Sequence, residues 1–400
     1  MGAVVSGNTV SKGLTVLVLS GGSADVLNVK AGALEIISAG GFESGSNISS
    51  GGTFETIGNA NVAPHLFSGA IFEVGSGALT AVTNESGVTV KVLSGGVVSG
   101  GTALFHNVVT ALRGGFVSSL TVSSGGGLIV SSGGTASGSI ILSGGTELVA
   151  SGGTDLGLTS IASGGLFETL SGGTAIVSGA VINSGTLFAS GARSLIDIVA
   201  GAAVTGGGIA KIANGTIDIE GSGNNQSVVF LAGGSGTLQI ADAPGNTSAF
   251  GGTVSGFGQN VHQFIDLPAV TYVSGVVSAS YSSSTASSGV LRVTSGGTAN
   301  VVAVIGFSGH YVTSNFHITS GANGTVAIFD PPVIARQPTL GFSEALGGTV
   351  ATDSAAGKLA LLGNYMASEF ASMTSGHAGI LSTEPQHTEQ QPLLTHPHAR

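Results

Sequence analysis

The sequence contains no cysteine, no tryptophan and only four tyrosines in 400 residues. The absence of thiols excludes disulfides, a thiolate nucleophile and Cys-ligated metal sites together. Charge is scarce as well: Asp, Glu, Lys and Arg make up 8% of the chain, against roughly 25% in ordinary globular domains. Because 42% of the residues are hydrophobic, the solvated surface has to be built largely from Ser, Thr, Asn and Gly. Ten Lys and Arg, scattered singly, face twenty Asp and Glu, for a net charge of -10. That leaves no footprint for a phosphate backbone, and nucleic acid is not expected as a partner. No apolar run approaches the roughly 18 to 20 residues of a membrane helix; stretches such as 301–307 are short and broken by glycine. A transmembrane segment is therefore not expected, nor is an ordinary signal peptide, since no basic region followed by an apolar core opens the chain.

Glycine is what the sequence has in excess, 70 residues of 400, yet no G-X-Y period runs through it, which excludes collagen. Up to about residue 205 the triplet Ser-Gly-Gly and its variants recur. One series runs Ser132, Ser151, Ser171 and Ser190, and a second, interleaved with it, runs Ser124, Ser143 and Ser163, so each period near twenty residues holds two turns. Between the turns lie short segments such as Thr146-Glu147-Leu148-Val149 and Leu166-Phe167-Glu168-Thr169, of the types that favour pleated strands. Leu34, Phe54 and Phe72, and later Leu148, Phe167 and Phe188, recur one period apart and are expected as interior ladders. One short strand cannot bury its apolar side alone. Stacked as coils of a solenoid, equivalent positions come about 4.7–4.9 Å apart and form a continuous core; some ten coils would make a rod of roughly 50 Å at that spacing.

The opening Val5-Ser6-Gly7-Asn8-Thr9-Val10-Ser11-Lys12-Gly13-Leu14-Thr15-Val16, then Asp25-Val26-Leu27-Asn28-Val29, and the Ser-Gly-Gly-Thr copies beginning at Ser132, Ser143, Ser151 and Ser171 resemble the strand-loop-strand repeat of bacterial autotransporter passengers, the AIDA-type adhesin repeat. The resemblance covers about the first half of the chain. It implies a secreted or surface-displayed parallel β-helix with an adhesive role. An autotransporter finishes with a membrane β-barrel of alternating lipid-facing strands; the closing residues here do not read as one, so the expectation is a passenger without its own barrel.

The expected class is all-β: a parallel β-helix (solenoid) over 1–205, a second irregular β module over 206–330, a linker over 331–354, a short amphipathic C-terminal helix over 355–374 and a flexible tail over 375–400. The second module keeps β-like runs, among them Thr237-Leu238-Gln239-Ile240 and Phe264-Ile265-Asp266-Leu267, but loses the period. The helix is expected from Leu359, Leu362, Met366 and Phe370, at steps of three and four; an uncleaved export signal and a helix packed on the preceding module are both compatible with it.

Few residues are placed to do chemistry. Glu35, Glu55 and Glu73 follow Leu34, Phe54 and Phe72, so alternation would point all three outwards as a surface carboxylate ladder. Glycan hydrolysis uses two carboxyls either about 5 Å or about 6.5–9.5 Å apart, spacings that neighbouring coils offer. The ladder lacks aromatic platforms for sugars and nearby cations for an anionic substrate, so a solvated face is the reading adopted and no catalytic residue is assigned. A calcium β-roll needs Gly-Gly-X-Gly-X-Asp repeats, whereas Gly233-Gly234-Ser235-Gly236-Thr237 is followed by Leu238. The histidines lack ligand spacing. No metal and no cofactor are expected. The function expected is that of a non-enzymatic, adhesin-like rod, extracellular or on the bacterial cell surface, contacting glycans or cell-surface components. The alternatives are a β-helical polysaccharide-processing enzyme using the glutamates and a self-associating matrix scaffold.

Overall fold

The computed structural model describes residues 3–330, apart from 83–84, 221–222, 242–249 and 299, together with the backbone of four short strands farther on. The chain divides into two compact units, Met1–Pro332 and Val333–Arg400. In the second unit, Gly341–Phe342 pairs antiparallel with Val350–Ala351, and Phe370–Ser372 with Ile380–Ser382. Most of the helix expected over 355–374, the linker and the tail lie outside the described residues. Phe370–Ser372, near the end of the expected helix, is a strand.

The first unit is a parallel β-solenoid. Each coil contributes one short strand to a long sheet and further short strands to the other faces, as in Thr15–Val18, Ser23–Asp25 and Asn28–Val29 before the next coil begins at Leu34–Ile37. Thirteen such strands, from Thr15–Val18 to Thr253–Ser255, follow one another in the long sheet, a stack of roughly 60 Å at the inter-strand spacing. The long-sheet strands from Leu34–Ile37 to Thr186–Ala189 alternate half-buried and buried positions, and the buried apolar ones fuse into one core. Short strands with a single inward row are what the sequence alternation dictates.

The corners explain the glycine content. At Leu112-Arg113-Gly114-Gly115, Gly114 has a φ of 73°, which glycine adopts without the Cβ penalty, and its N–H donates to the Gly133 carbonyl of the next coil at 2.7 Å. A Cβ on Gly115 would run into the backbone carbonyl of Val92, one coil back. The first glycine turns the chain and the second lets neighbouring coils touch.

The register corrects the expected ladder. In the long sheet Phe54 pairs with Phe72 and with Glu35, while Leu34 pairs with Thr53. The inward row therefore runs Val16, Glu35, Phe54, Phe72, and Leu34 lies on the outer side. The same offset separates the later trio: Phe167 is inside, with Leu148 and Phe188 on the outer face. A shift of one residue exchanges the two faces of a strand, and here both faces carry apolar side chains.

Parallel stacking also continues past residue 205. Ile209–Ile212, Ser227–Phe230 and Thr253–Ser255 extend the long sheet, and Thr216–Ile219, Thr237–Ile240 and the start of Phe264–Thr271 extend the facing one. The period fades because the corners change while the inward alternation persists. The departure from the coil pattern comes later, in antiparallel strands: Val277–Thr285 pairs with Ser288–Ser295, which pairs with Val301–Ser308, and Thr325–Phe329 lies between Phe264–Thr271 and His317–Ser320. An aromatic cluster joins them to the last coils. Phe257 packs on Phe230 and on Phe307, and Phe307 meets Phe316 at a centroid distance of 4.9 Å and Tyr311 at 5.1 Å.

Candidate functional site

The parallel register places like positions of successive coils side by side, so any site on the first unit is a column of residues. Glu55 and Glu73 are directly paired neighbours on the outer face of the long sheet, and Lys91 is the next rung. Lys91 Nζ donates to Glu73 Oε1 at 3.0 Å. Partial burial, followed by the Glu73 charge, raises the Glu55 carboxyl above its ordinary range. Thr53 and Ile71 precede these glutamates on the same face, and Ile36 precedes Glu55 in the column. No aromatic ring belongs to this patch, and one of its two carboxylates is already neutralised by lysine. Glu35, expected as the third member, is fully buried on the inner side of its strand.

A second acidic column, which the sequence reading missed, lies on the facing sheet. Asp197 pairs with Asp218, Asp218 with Gln239, and Gln239 with Asp266. One oxygen from each of Asp197, Asp218 and Glu220 falls within 4.8 Å of the others. Partial burial and then the charges of Asp197 and Glu220 push the Asp218 carboxyl up to about 6. Three carboxylate oxygens are fewer than the about six to eight that calcium takes, and Glu220 is exposed, so the group is a region of mutual repulsion relieved by solvent. The signal was present in the sequence: Leu195-Ile196-Asp197-Ile198 and Thr216-Ile217-Asp218-Ile219 share the outward acid between inward isoleucines.

This repulsion is testable by charge removal. The Asp218 carboxyl is harder to ionise folded than unfolded, so its ionisation weakens the fold as pH rises from about 4 towards 6, and the full penalty persists above that. Asp218→Asn is expected to raise the melting temperature slightly at pH 7.5 and to leave it unchanged near pH 3.5, measured by thermal unfolding at both. The effect is small because the group is partly solvated.

The remaining carboxyls of note are interior. Glu35, Glu43, Glu147 and Asp155 are all essentially inaccessible, so none can meet a polymeric substrate on the folded rod. Among the described residues, no helix is long and apolar enough to cross a membrane.

The arrangement defines a class, the parallel β-solenoids with long in-register outer columns. No family model matches the chain, and no curated protein matches it either. Among solved structures, the chain is similar to the crystal structure of a TibC-catalyzed hyper-glycosylated TibA fragment, at 22% identity and a TM-score of 0.30, over 64% of this chain and 91% of that one.

Proposed function

We propose that the protein is a non-enzymatic, adhesin-like rod, exported or held at a bacterial cell surface, that contacts glycans or cell-surface components through many weak interactions. The observation that carries this reading is the unbroken register of the long sheet, which repeats each outer position once per coil from Thr15–Val18 to Thr253–Ser255. A ligand with a repeating chain can meet the same hydrogen-bonding group many times along such a column, and linked weak contacts add through effective concentration. The Ser-Gly-Gly repeat, with its resemblance to autotransporter passengers, supports the adhesive and extracellular parts of the proposal. The non-enzymatic part is supported by the lysine tied to Glu73 and by the lack of an aromatic platform beside Glu55.

The test is to incubate the protein with bacterial, plant and animal glycans, recording retention and the appearance of new chain ends in the same samples. Retention without cleavage is the expected result. Cleavage abolished by Glu55→Gln would replace the proposal with a polysaccharide-processing enzyme. Neither retention nor cleavage, together with concentration-dependent sedimentation, would favour a self-associating scaffold.

A further inference from the structure

In a run of coils, the second residue of the long-sheet strand and the residue eight positions later both point into the core. Val90 and Val98, Val109 and Val117, Leu128 and Ala136, and Phe167 and Ala175 fill these two positions, and all are buried. In two coils both positions are acids: Glu35 with Glu43, and Glu147 with Asp155. All four carboxyls are buried, with no more than 1% of any residue exposed. Their vertical neighbours are apolar. Glu35 lies between Val16 and Phe54, and Glu147 between Leu128 and Phe167, while Asp155 lies between Ala136 and Ala175.

The two pairs are wired alike. One acid of each accepts backbone N–H groups. Glu43 takes those of Ser46 at 2.6 Å and Ala63 at 2.8 Å, and Asp155 takes that of Gly157 at 2.8 Å. The other acid accepts no backbone donor. Glu35 accepts only the Ser46 hydroxyl, at 3.1 Å, and its second oxygen is buried without a partner; both Glu147 oxygens, one Asp155 oxygen and the Ser139 hydroxyl beside them are likewise unpaired. Among the described residues, no cation compensates. The ion pair among the described residues is the Lys91–Glu73 contact on the outer face. Around the first pair, Glu55 points outwards, Asp25 is half-buried at the flank of its strand, and Lys12 and Lys30 are exposed at corners; around the second, Glu168 is on the outer side. Two adjacent anions in an apolar core are strongly disfavoured, as uncompensated buried charge is, and a single proton turns one of them into a donor to the other.

We propose that each acid pair holds a proton inside the folded rod, making the solenoid a proton-linked structure that is tightest in mild acid and loosens at these two coils as pH rises. Burial, followed by the Glu43 charge, pushes the Glu35 carboxyl up to about 7. Burial, followed by Asp155, pushes Glu147 well above the ordinary range. Unfolded, both glutamates titrate near about 4.3. Above that value the folded chain keeps protons that the unfolded chain has released, so unfolding sheds protons and is promoted by raising pH. The stabilisation is complete below about 4 and, for Glu35, is gone once the pH passes about 7; for Glu147 the window extends upward from the same lower limit.

The experiment is urea unfolding of the full chain from pH 4.5 to 8, for the wild type, Glu35→Gln, Glu147→Gln and the double variant, with Glu168→Gln on the outer side as a surface control. Each interior variant is expected to reduce the rise of the unfolding constant by up to about tenfold per pH unit within its window, the slope of one proton, while the surface control shifts the curve much less. Slopes identical to the wild type in the double variant would overturn the proposal. Because the interior variants bear on folding, infrared spectra of the wild type at pH 6 provide an independent reading: a carboxylic-acid C=O band shielded from deuterium exchange is expected, and its absence overturns the proposal whether or not the variants fold. Stabilisation by added calcium that disappears in Glu147→Gln would assign the second pair to a cation and overturn it there.

Discussion

Phe167→Ala is expected to destabilise the protein by about 3–5 kcal/mol, the cost of removing a fully buried phenyl ring from a packed core, whereas Phe188→Ala should cost less than about 1 kcal/mol. The two rings sit in neighbouring strands of the same sheet, Leu166–Thr169 and Thr186–Ala189, and differ in side. Phe167 is fully buried between Glu147 and Leu187 of the inward row, while Phe188 is a half-buried outer residue paired with Glu168 and Lys211. Urea unfolding of the two variants reads the difference directly. Hydrogen exchange should place the Phe167→Ala damage in the coils on either side, because a solenoid is held by contacts between neighbours. Equal costs, or a larger cost at Phe188, would mean that the strands are shifted by one residue from the register described here.

That one-residue distinction is also where the sequence was least legible. The coil architecture could be read because Ser-Gly-Gly is demanded by a corner: Gly114 and Gly115 meet a dihedral and a steric requirement that few other residues meet. Side choice is weaker information. In Ala33-Leu34-Glu35-Ile36-Ile37 both alternations contain apolar residues, since a chain this poor in charge puts Leu34 and Ile36 on its outer face. The rule that carboxylates face water then favours the wrong phase, because Glu35 is one of the few acids inside. Only the pairing of Glu35 with Phe54, and of Glu147 with Phe167, sets the phase. Taken with the spacing of eight residues to Glu43 and Asp155, those two pairings move one rung of the expected surface ladder, Glu35, into an interior acid pair and place Glu147 in a second. Glu55 and Glu73 are paired neighbours on the outer side.

The other gap, the continuation past residue 205, has a different cause. Successive long-sheet strands lie 18 to 20 residues apart up to Thr186–Ala189, then 23, 18 and 26 residues apart. Reading by corners loses such coils, while reading by inward residues, Ala210, Val228 and Val254, keeps them. The antiparallel end was not legible at all, because Val254 pairs with Phe307 across more than fifty residues of chain, and no local pattern encodes so distant a partner.

Phe307 is where that distant pairing is secured, and Phe307→Ala is the second substitution expected to cost about 3–5 kcal/mol. Its ring is 1% exposed and lies among Phe257, Tyr281, Tyr311 and Phe316. The consequence should differ from that of Phe167→Ala. An interior coil has a neighbour on each side, whereas Thr253–Ser255 has Ser227–Phe230 on one side and Val301–Ser308 on the other. Loosening the latter leaves a parallel sheet with a free edge, which templates pairing with another chain. Phe307→Ala is therefore expected to lose exchange protection across Ser288–Ser295 and Val301–Ser308 before the coils unfold, and to show concentration-dependent association in sedimentation. Tyr311→Phe is the matched control. It keeps the ring in the cluster and removes the hydroxyl that donates to the Phe257 carbonyl at 3.1 Å, a change expected to cost about 0.5–1.5 kcal/mol without association. If Phe307→Ala instead unfolded the whole rod in one step with no loss of local protection beforehand, the antiparallel strands would be part of one cooperative unit with the coils, and association would require the entire solenoid to open.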